Sequence, residues 1–367
     1  MSTTLDDARE ALGHFAADDG EPSIAVHPGG HINDSYRVTR AAEGGTPGWL
    51  LQRLNPRVFP DGPAVMANVA HVTRHIADQL RREGVADWRR RTLVLVPTRD
   101  GAHWYQAPDG ACWRLVPFIA GTRAHERPRH ARDAEQAAAA FGQFLCRLAN
   151  YDGPPLAITL PGFHDTVARF AALDDAVLAD VAGRAASVRA ELDAVLRHRP
   201  MADVLPPLLG GADVPTRVVH NDAKMANVLF DERTGEALCV VDPDTVMPGS
   251  ALHDFGDLVR SLASPTAEDE RDVRRVGVRV EMFAALARGF LSTAGAVLTP
   301  AERALLPFAG ELLTLEQAVR FLADHLAGDR YYRITRPGQN LDRARAQIAL
   351  LESLVAHERE LARLVER

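Results

Sequence analysis

Apolar and polar positions alternate in short runs through the first third of the chain, which is the pattern of half-buried β-strands. One longer stretch, Val65–Glu83, interrupts these runs with apolar residues at a helical period, and a short helix is predicted before them at Leu5–Phe15. Turns rich in glycine and aspartate join the runs. The predicted strands are Ser23–His27, Asp34–Thr39, Trp49–Leu54, Leu93–Pro97 and Ala111–Phe118. The pattern therefore predicts a five-stranded antiparallel sheet with one packed helix.

The rest of the chain follows a helical period, after a predicted hinge at 118–121. Helices are predicted at 131–149, 163–175, 178–198, 252–264, 269–294, 301–328 and 340–366. Only the segment 216–246 departs from this period, with two apolar strand-like pieces. We therefore predict an α+β, protein-kinase-like fold with two lobes. The lobe at 1–117 would bind a nucleotide, and the mainly helical lobe at 122–367 would carry the catalytic and acceptor-binding groups.

The residues that suggest chemistry lie where the helical pattern is interrupted. Asp222 follows an apolar run, Asn227 comes five positions later, and Asp242 follows the apolar run Leu238–Val241. Phosphoryl transfer from ATP needs a carboxylate that orients the attacking hydroxyl, and oxygen ligands that hold a metal ion at the phosphates. The spacing therefore predicts an ATP-dependent small-molecule kinase with Asp222 as the base. Asn227 and Asp242 are the predicted ligands of Mg²⁺.

Two further acids accompany this motif. Asp244 would lie on the same side as Asp242 if the chain were extended there. Asp244 is therefore predicted as a further metal residue, either a second ligand or an acid that supports the first ligand. The alternative is an acid paired with a loop group. Asp254-Phe255-Gly256 has the letters of the protein-kinase DFG motif, but neighbouring leucines place it in a helix. We interpret Asp254 as a structural acid that caps a helix or holds the catalytic loop.

A nucleotide-binding loop is expected between the first two strands, where the segment Pro28–Tyr36 contains two glycines. Glycine lets backbone amides approach a phosphate closely. The sequence lacks a GxxxxGK[ST] motif, which excludes a P-loop kinase. The hinge is expected to contact the nucleotide as well. The predicted nucleotide-binding residues of these two segments are Gly30, Asn33, Ser35, Pro117 and Ile119.

The third predicted strand has no lysine where kinases use one to bind phosphate. Gln52 and Arg53 occupy that part of the strand. Arg53 is the predicted nucleotide-binding cation, because a guanidinium binds phosphate well. The alternative is that Arg53 lies on the outer face with a surface partner.

The bulk properties exclude some classes of protein. The net charge of −7 argues against a general binder of nucleic acids or acidic membranes. No apolar run is long enough for a transmembrane helix, and the first residues lack the features of a signal peptide. The three cysteines stand in apolar contexts, as expected of reduced thiols in a cytoplasmic protein. The oligomeric state does not follow from the sequence.

The catalytic loop and the acids after it resemble the aminoglycoside phosphotransferase/choline kinase-like superfamily, whose members have a protein-kinase-like fold. Within that superfamily the chain is most similar to the N-acetylhexosamine 1-kinase branch. The segments that carry this resemblance are Gly30–Tyr36, Leu51–Asn55, His220–Lys224, Val241–Ser250, Arg320–Leu326, Gly328–Tyr332 and Asn340–Arg345. Two positions depart from the branch, since Ala223 replaces a common hydroxyl residue and Pro243 replaces a common apolar one.

The resemblance implies transfer of the ATP γ-phosphate to the anomeric hydroxyl of N-acetylglucosamine or N-acetylgalactosamine. It also implies Asp222 as the base, and a sugar surrounded by Asp222, His31, Arg320 and Tyr331. One alternative is a kinase of the same fold with another acceptor, such as another hexose, homoserine, an amino alcohol or an aminoglycoside. A second alternative is a pseudokinase that acts as a binding module.

Overall fold

The computed structural model describes residues 4–17, 21–28, 32–40 and 48–366. The chain divides into two compact units. Unit 1 comprises Met1–Ala124, Asn150–Leu160 and Leu229–Pro248, and unit 2 comprises His125–Ala149, Pro161–Val228 and Gly249–Arg367. Both units are therefore assembled from separate stretches of the chain. The predicted division into lobes at 118–121 stays a prediction.

Unit 1 contains the predicted antiparallel sheet of five strands. Its strands lie in the order β1-β2-β3-β5-β4. Their bounds are Pro22–Val26 for β1, Asp34–Arg40 for β2, Trp49–Arg53 for β3, Tyr105–Gln106 for β4 and Cys112–Pro117 for β5. Consecutive side chains of a strand point to opposite faces of the sheet, so each face receives every second residue.

One helix packs on each face of this sheet. Helix α1, Leu5–Gly13, begins with a capping box formed by Thr4 and Asp7, and it packs on the face that carries Leu51 and Leu115. Helix α2, Gly62–Arg82, packs on the other face, where its first turns join a core with Leu54 and Cys112. Each face of the sheet is therefore covered by its own apolar cluster.

The prediction of a strand at Leu93–Pro97 is wrong. The segment has no strand conformation, and the fourth strand of the sheet is instead β4, which pairs with β5. Its apolar residues are divided between the two cores, with Leu95 in one and Val96 in the other. The Val96 amide donates to the Leu115 carbonyl at 2.8 Å. The alternation therefore reflects burial on two sides of a loop, and Pro97 has no amide hydrogen with which to extend a ladder.

The remaining strands are short. Three of them form a second sheet in the order β6-β8-β9. Their bounds are Thr122–Arg123 for β6, Val228–Asp231 for β8 and Ala237–Val240 for β9; β7 spans Arg217–Val219 and β10 spans Met247–Gly249. Short 3₁₀ turns occur at Trp88–Arg90, Ala185–Ser187, Arg199–Asp203, Met225–Asn227, Pro243–Thr245 and Val273–Arg275.

Unit 2 is mainly helical, as predicted. Its helices are α3 Ala131–Leu148, α4 Thr166–Ala179, α5 Arg189–Arg197, α6 Ala251–Leu262, α7 Val280–Ala294, α8 Pro300–Ala304, α9 Leu306–Leu326 and α10 Gln339–Val365. Glycines allow close helix contacts, because a Cβ on Gly289 of α7 would lie 2.1 Å from the Glu135 carbonyl oxygen of α3. Within the described ranges, none of the helices combines the length and the apolar content that crossing a bilayer requires.

Three of the predicted helices were too long. The helix predicted at 178–198 is reduced to α5, since Asp180 ends α4 in a left-handed conformation with φ 33°. The helix predicted at 269–294 begins only at Val280, after Gly277. The one predicted at 301–328 is interrupted at Leu305, where α8 ends and α9 starts with Pro307 near its N-terminus. Glycine, proline and left-handed turns end helices that the apolar period alone would continue.

Candidate active site

Asp254 holds the predicted catalytic loop of unit 2, which follows strand β7. Strand β7 ends at Val219, and the next two backbone amides, of His220 and Asn221, donate to the Asp254 carboxylate at 2.9 and 2.7 Å. Asn221 has a left-handed backbone with φ 63°, which asparagine tolerates better than most residues. Asp254 is completely buried. Asp254 therefore holds the loop that carries Asp222, which is one of the two structural tasks expected of it.

The two residues after Asp254 also have structural tasks. Phe255 is completely buried in the core of unit 2. A Cβ on Gly256 would lie 2.4 Å from the carbonyl oxygen of Ala309, so glycine is needed where α6 meets α9. In the Asp-Phe-Gly segment of this chain, Asp254 therefore binds the loop after β7, and Gly256 allows the close contact of α6 with α9.

Asp222 projects from this loop with two partners of its own. Lys224 Nζ donates to Asp222 Oδ2 at 2.7 Å, and Asn227 Nδ2 donates to the same oxygen at 3.0 Å and to the Asp222 carbonyl at 2.9 Å. Burial alone would raise the pKa of the Asp222 carboxyl, but Lys224 holds that pKa below its ordinary value. An ionised carboxylate of this kind can orient a hydroxyl and accept its proton late in phosphoryl transfer. Sequence reasoning gave Lys224 no role, although it stands two residues after the predicted base.

A buried histidine connects the catalytic loop to helix α9. His164 Nε2 lies 3.0 Å from the Asn221 carbonyl, and His164 Nδ1 lies 3.0 Å from Glu316 Oε1. Both partners are acceptors, so the two contacts are satisfied when both ring nitrogens donate, as in an imidazolium. Thr166 Oγ1 donates to the second oxygen of Glu316 at 2.9 Å. The sequence carried no signal for this group, because His164 and Glu316 belong to no local motif.

Arg320, one turn beyond Glu316 on α9, is surrounded by aromatic rings. Its guanidinium carbon lies 5.5 Å from the centre of the Phe163 ring, 5.9 Å from that of Tyr331 and 5.7 Å from that of Tyr332. Arg320 Nη1 donates to Gln317 Oε1 at 3.3 Å and lies 4.0 Å from a Glu316 oxygen. The structure thus brings the predicted sugar-binding residues Arg320 and Tyr331 together.

The loop that carries Tyr331 is fixed by Asp324. The amides of Arg330, Tyr331 and Tyr332 all donate to the Asp324 carboxylate, at 2.8 to 3.0 Å. The side chain of Tyr331 remains exposed, whereas the hydroxyl of Tyr332 accepts a hydrogen bond from Gln317. An exposed phenol on a fixed loop is a suitable group for contact with a small molecule.

In unit 1, the two acids of Asp242-Pro243-Asp244 have different surroundings. Asp242 has a left-handed backbone with φ 59°, and Pro243–Thr245 forms a 3₁₀ turn, so the chain is not extended as expected. The Asp242 side chain is 35% exposed, whereas that of Asp244 is 3% exposed. Arg114 donates to both oxygens of Asp244, and Asn33 Nδ2 also donates to it. Asp244 is therefore committed to protein partners, which favours the interpretation of an acid paired with its neighbours.

Arg53 does not lie on the face of the sheet that carries Gln52. Its guanidinium pairs with Asp109 at 3.1 Å and with Asp34 at 3.8 Å. This arrangement favours the alternative in which Arg53 has a surface partner. Arg114 on β5, to which sequence reasoning gave no role, stands opposite Gln52 in the strand register. Only the pairing of β3 with β5 reveals it.

The remaining predicted nucleotide-binding residues are divided. Gly30 lies outside the described residues, as does the predicted sugar-binding residue His31. Asn33 accepts a hydrogen bond from the Asn55 amide at 3.0 Å, and Ser35 accepts one from Gln52 at 3.1 Å. Pro117 ends β5 just before the predicted hinge, and within the hinge the Ile119 carbonyl accepts a hydrogen bond from the Thr122 hydroxyl at 2.6 Å. Their roles toward a nucleotide stay predictions.

Comparison with known proteins agrees with this arrangement. A profile of the phosphotransferase enzyme family (APH) matches residues 23–288. A microcompartment-associated aminopropanol kinase shares 17% identity with a TM-score of 0.59, over 98% of this chain and 99% of that one. An aminoglycoside phosphotransferase from Alicyclobacillus acidocaldarius shares 15% identity with a TM-score of 0.59, over 98% and 96%.

An amicoumacin kinase, solved in complex with AMP-PNP, Ca²⁺ and Ami, shares 15% identity with a TM-score of 0.64, over 95% of this chain and 93% of that one. At these identities the solved structures establish the kinase-like fold. The family profile covers well over half of the chain. The chain therefore belongs to the phosphotransferase enzyme family and is a small-molecule kinase.

Proposed function

We propose that this kinase transfers the γ-phosphate of ATP to the anomeric hydroxyl of a hexose or an N-acetylhexosamine. The observation that supports this acceptor is the arrangement around Arg320. The Arg320 guanidinium lies among aromatic rings, one of which is the exposed phenol of Tyr331. Fixed donors beside aromatic faces suit a neutral polyol, whose hydroxyls need oriented partners and whose ring has apolar faces.

The acids near Arg320 do not favour a polycation as acceptor. Glu316 is engaged with His164 and Thr166, and Asp324 is engaged with three backbone amides. An aminoglycoside would require carboxylates that face the ligand, because its charges must be compensated when they leave water. The positive charge of Arg320 itself would repel such a ligand. The site is thus better suited to a neutral sugar.

Asp222 is proposed as the base of the reaction. Its lowered pKa means that it is ionised at neutral pH, so it can accept a hydrogen bond from the acceptor hydroxyl. Lys224 and Asn227 fix its orientation by donating to the same oxygen, Oδ2. Because phosphoryl transfer depends mainly on positioning, this orientation is the main contribution expected of Asp222.

Magnesium is the proposed metal, and the donor chemistry of two residues suits it. Asn227 and Asp242 offer an amide oxygen and a carboxylate, which are the hard ligands that Mg²⁺ takes together with phosphate oxygens. Asn227 turns its nitrogen toward Asp222, so its oxygen faces the other way. Asp242 is the more exposed of the two acids in its loop. When bound, Mg²⁺ would neutralise charge on the phosphates of ATP.

The test is the product formed from ATP, Mg²⁺ and a panel of acceptors, identified by phosphorus NMR. We expect a sugar 1-phosphate. A 6-phosphate would contradict the anomeric position. Brisk phosphorylation of an amino alcohol or an aminoglycoside without activity on any hexose would move the chain to another acceptor class. A chain that binds ATP but phosphorylates nothing in the panel would support the pseudokinase alternative.

Two variants test the acceptor site directly. Arg320→Ala and Tyr331→Phe should raise the KM for the sugar, by about 10- to 100-fold for the charged residue, because hydrogen bonds to charged groups are the stronger ones. The KM for ATP should change little. Arg199→Ala is a matched control, since Arg199 also stacks on a ring, Phe170, at 5.2 Å in the same unit. An equal rise of both KM values would contradict the assignment.

A further inference from the structure

Strand β5 places a cation, Arg114, on the face of the five-stranded sheet that α2 covers. Gln52 and Arg114 are directly opposite each other in the pairing of β3 with β5, and both side chains point to the face that α2 covers. Arg114 Nε donates to Gln52 Oε1 at 3.0 Å. The next residue of β3, Arg53, points to the opposite face and pairs with Asp109. The charge that β3 lacks on this face is thus supplied by its neighbour.

Arg114 is held in a fixed orientation. Two of its nitrogens donate to the two oxygens of Asp244, the contact between Arg114 Nη2 and Asp244 Oδ2 being 3.3 Å. With the bond to Gln52, three of the five N–H groups of the guanidinium have protein acceptors. Arg114 is only 2% exposed. A bidentate carboxylate and an amide therefore preorganise this guanidinium, so little side-chain entropy remains to be lost on binding a ligand.

The same guanidinium lies close to the proposed metal ligand. Arg114 Nη2 is 3.9 Å from Asp242 Oδ1, and the Asp242 side chain is about one-third exposed. Asn33, which belongs to the predicted nucleotide loop, donates to Asp244. The group thus connects the loop after β1, the acids after β9 and the strand pair β3–β5. Phosphate, metal ligand and cation are expected together at such a place in a phosphotransferase.

We propose that Arg114 is the cation for the nucleotide phosphates, the task that a lysine of the third strand has in protein kinases, and that Asp244 and Gln52 hold it in place. The inference rests on the ATP part of the proposed function and is independent of the acceptor. It gives Asp244 a positioning role. It also explains the glutamine on β3, since Gln52 accepts a hydrogen bond from Arg114.

The test compares the affinities of ATP and adenosine by titration calorimetry with Mg²⁺ present. Arg114→Gln should lower the affinity for ATP by about 10- to 100-fold, because a charged hydrogen-bonded contact is lost. The affinity for adenosine, which has no phosphates, should change little. The double variant Arg114→Gln/Asp244→Asn should behave in the same way, and it leaves no buried carboxylate without a partner. Arg114→Lys keeps the charge but loses the bidentate bond to Asp244 and the bond to Gln52, so its ATP affinity should lie between those of the wild type and Arg114→Gln. Arg91→Gln is the control, because Arg91 also pairs with an aspartate of unit 1, Asp87.

A charge-exchange variant separates phosphate binding from a structural role. Gln52→Lys/Arg114→Gln returns the cation to β3 and should recover ATP affinity to within about 10-fold of the wild type. An equal loss of ATP and adenosine affinity in a folded double variant would overturn the inference. So would a loss of ATP affinity in Arg53→Gln with none in Arg114→Gln. A wild type that binds no ATP would overturn this inference and the proposed function together, whereas a wrong acceptor would be seen only in the NMR product.

Discussion

Replacing Asp254 with alanine should loosen the catalytic loop and destabilise unit 2. The carboxylate accepts two hydrogen bonds from consecutive backbone amides, at 2.9 and 2.7 Å, and it is completely buried. Alanine would leave both amides without an acceptor in a place that water does not reach. The amide of Asn221 belongs to the left-handed residue that immediately precedes Asp222. The substitution should therefore also impair the positioning of Asp222.

The size of the effect follows from these two contacts. A hydrogen bond to a charged group contributes about 1.5–3 kcal/mol, so the two together would contribute about 3–6 kcal/mol. Burial opposes the ionised form, and it raises the pKa of Asp254 despite the amides that stabilise the carboxylate. This cost offsets part of the gain, so we expect a loss of about 3 kcal/mol. Asp254→Asn retains one acceptor oxygen and should lie between the wild type and alanine.

The assay uses the uneven distribution of chromophores. All four tryptophans, at 49, 88, 104 and 113, belong to unit 1, whereas most of the helix belongs to unit 2. Urea unfolding followed by far-UV circular dichroism should therefore report the loss in unit 2. Tryptophan fluorescence reports unit 1 in the same samples. Asp242→Asn is the comparison, since asparagine tolerates the left-handed backbone and the side chain is partly exposed.

Unfolding and nucleotide binding should distinguish the roles of Asp254 and Asp242. Asp254→Ala should shift the unfolding curve and keep Mg²⁺-dependent nucleotide binding in the molecules that remain folded. Asp242→Asn should unfold nearly as the wild type and lose that binding. The reasoning would be refuted if Asp254→Ala lost the metal dependence while keeping its stability and Asp242→Asn kept both. A stability change below about 1 kcal/mol for Asp254→Ala would refute the estimate from the amide contacts.

Two further predictions concern unit 2. Asp222→Asn should lower kcat by about 10²–10⁴-fold with ATP affinity preserved, and steady-state rates beside calorimetry would show this; retention of more than half of kcat would contradict its role as base. Burial alone would lower the pKa of His164, but Glu316 raises it above the ordinary 6.5. The stabilisation by this pair is complete below pH 6.5 and lost as the pH rises through the folded-state pKa, so thermal melts should show a fall at high pH that His164→Gln lacks. Burial opposes the charge of Glu316 too, yet His164 lowers its pKa to about 2, so acid should remove the stabilisation between pH 4.5 and 2.

The fold was predictable where a pattern of apolar residues could arise from only one kind of packing. The period of α2 gave a helix within three residues of its observed bounds, because one apolar face packs on one sheet. The segment 93–97 failed because a loop between two cores has the same alternation as a strand. Long helices were overextended where a left-handed residue or a proline ended them. Such ends depend on backbone geometry that an apolar period does not record.

The site was predictable only as far as its residues are local in sequence. Asp222, Lys224 and Asn227 fall within six positions, so their spacing alone brings them together. His164 and Glu316 are separated by 152 positions, and Arg114 and Asp244 by 130. Contacts at such separations follow from which strands and helices pair, and one sequence does not specify those pairings. Arg114 looked like any other strand residue until its partner strand was known.

The pairing of Gln52 with Arg114 also explains why a search for a lysine on β3 has no answer in this chain. A buried guanidinium next to Asp244 requires a neutral neighbour, because a second cation opposite it in the register would repel it at short range. Once Arg114 occupies β5, a lysine at position 52 is disfavoured, and an amide that accepts from Nε is favoured. A buried cation without Asp244 would in turn be costly. The three residues are therefore a coupled set, and the position of the charge on the sheet can change only if Gln52 and Arg114 change together.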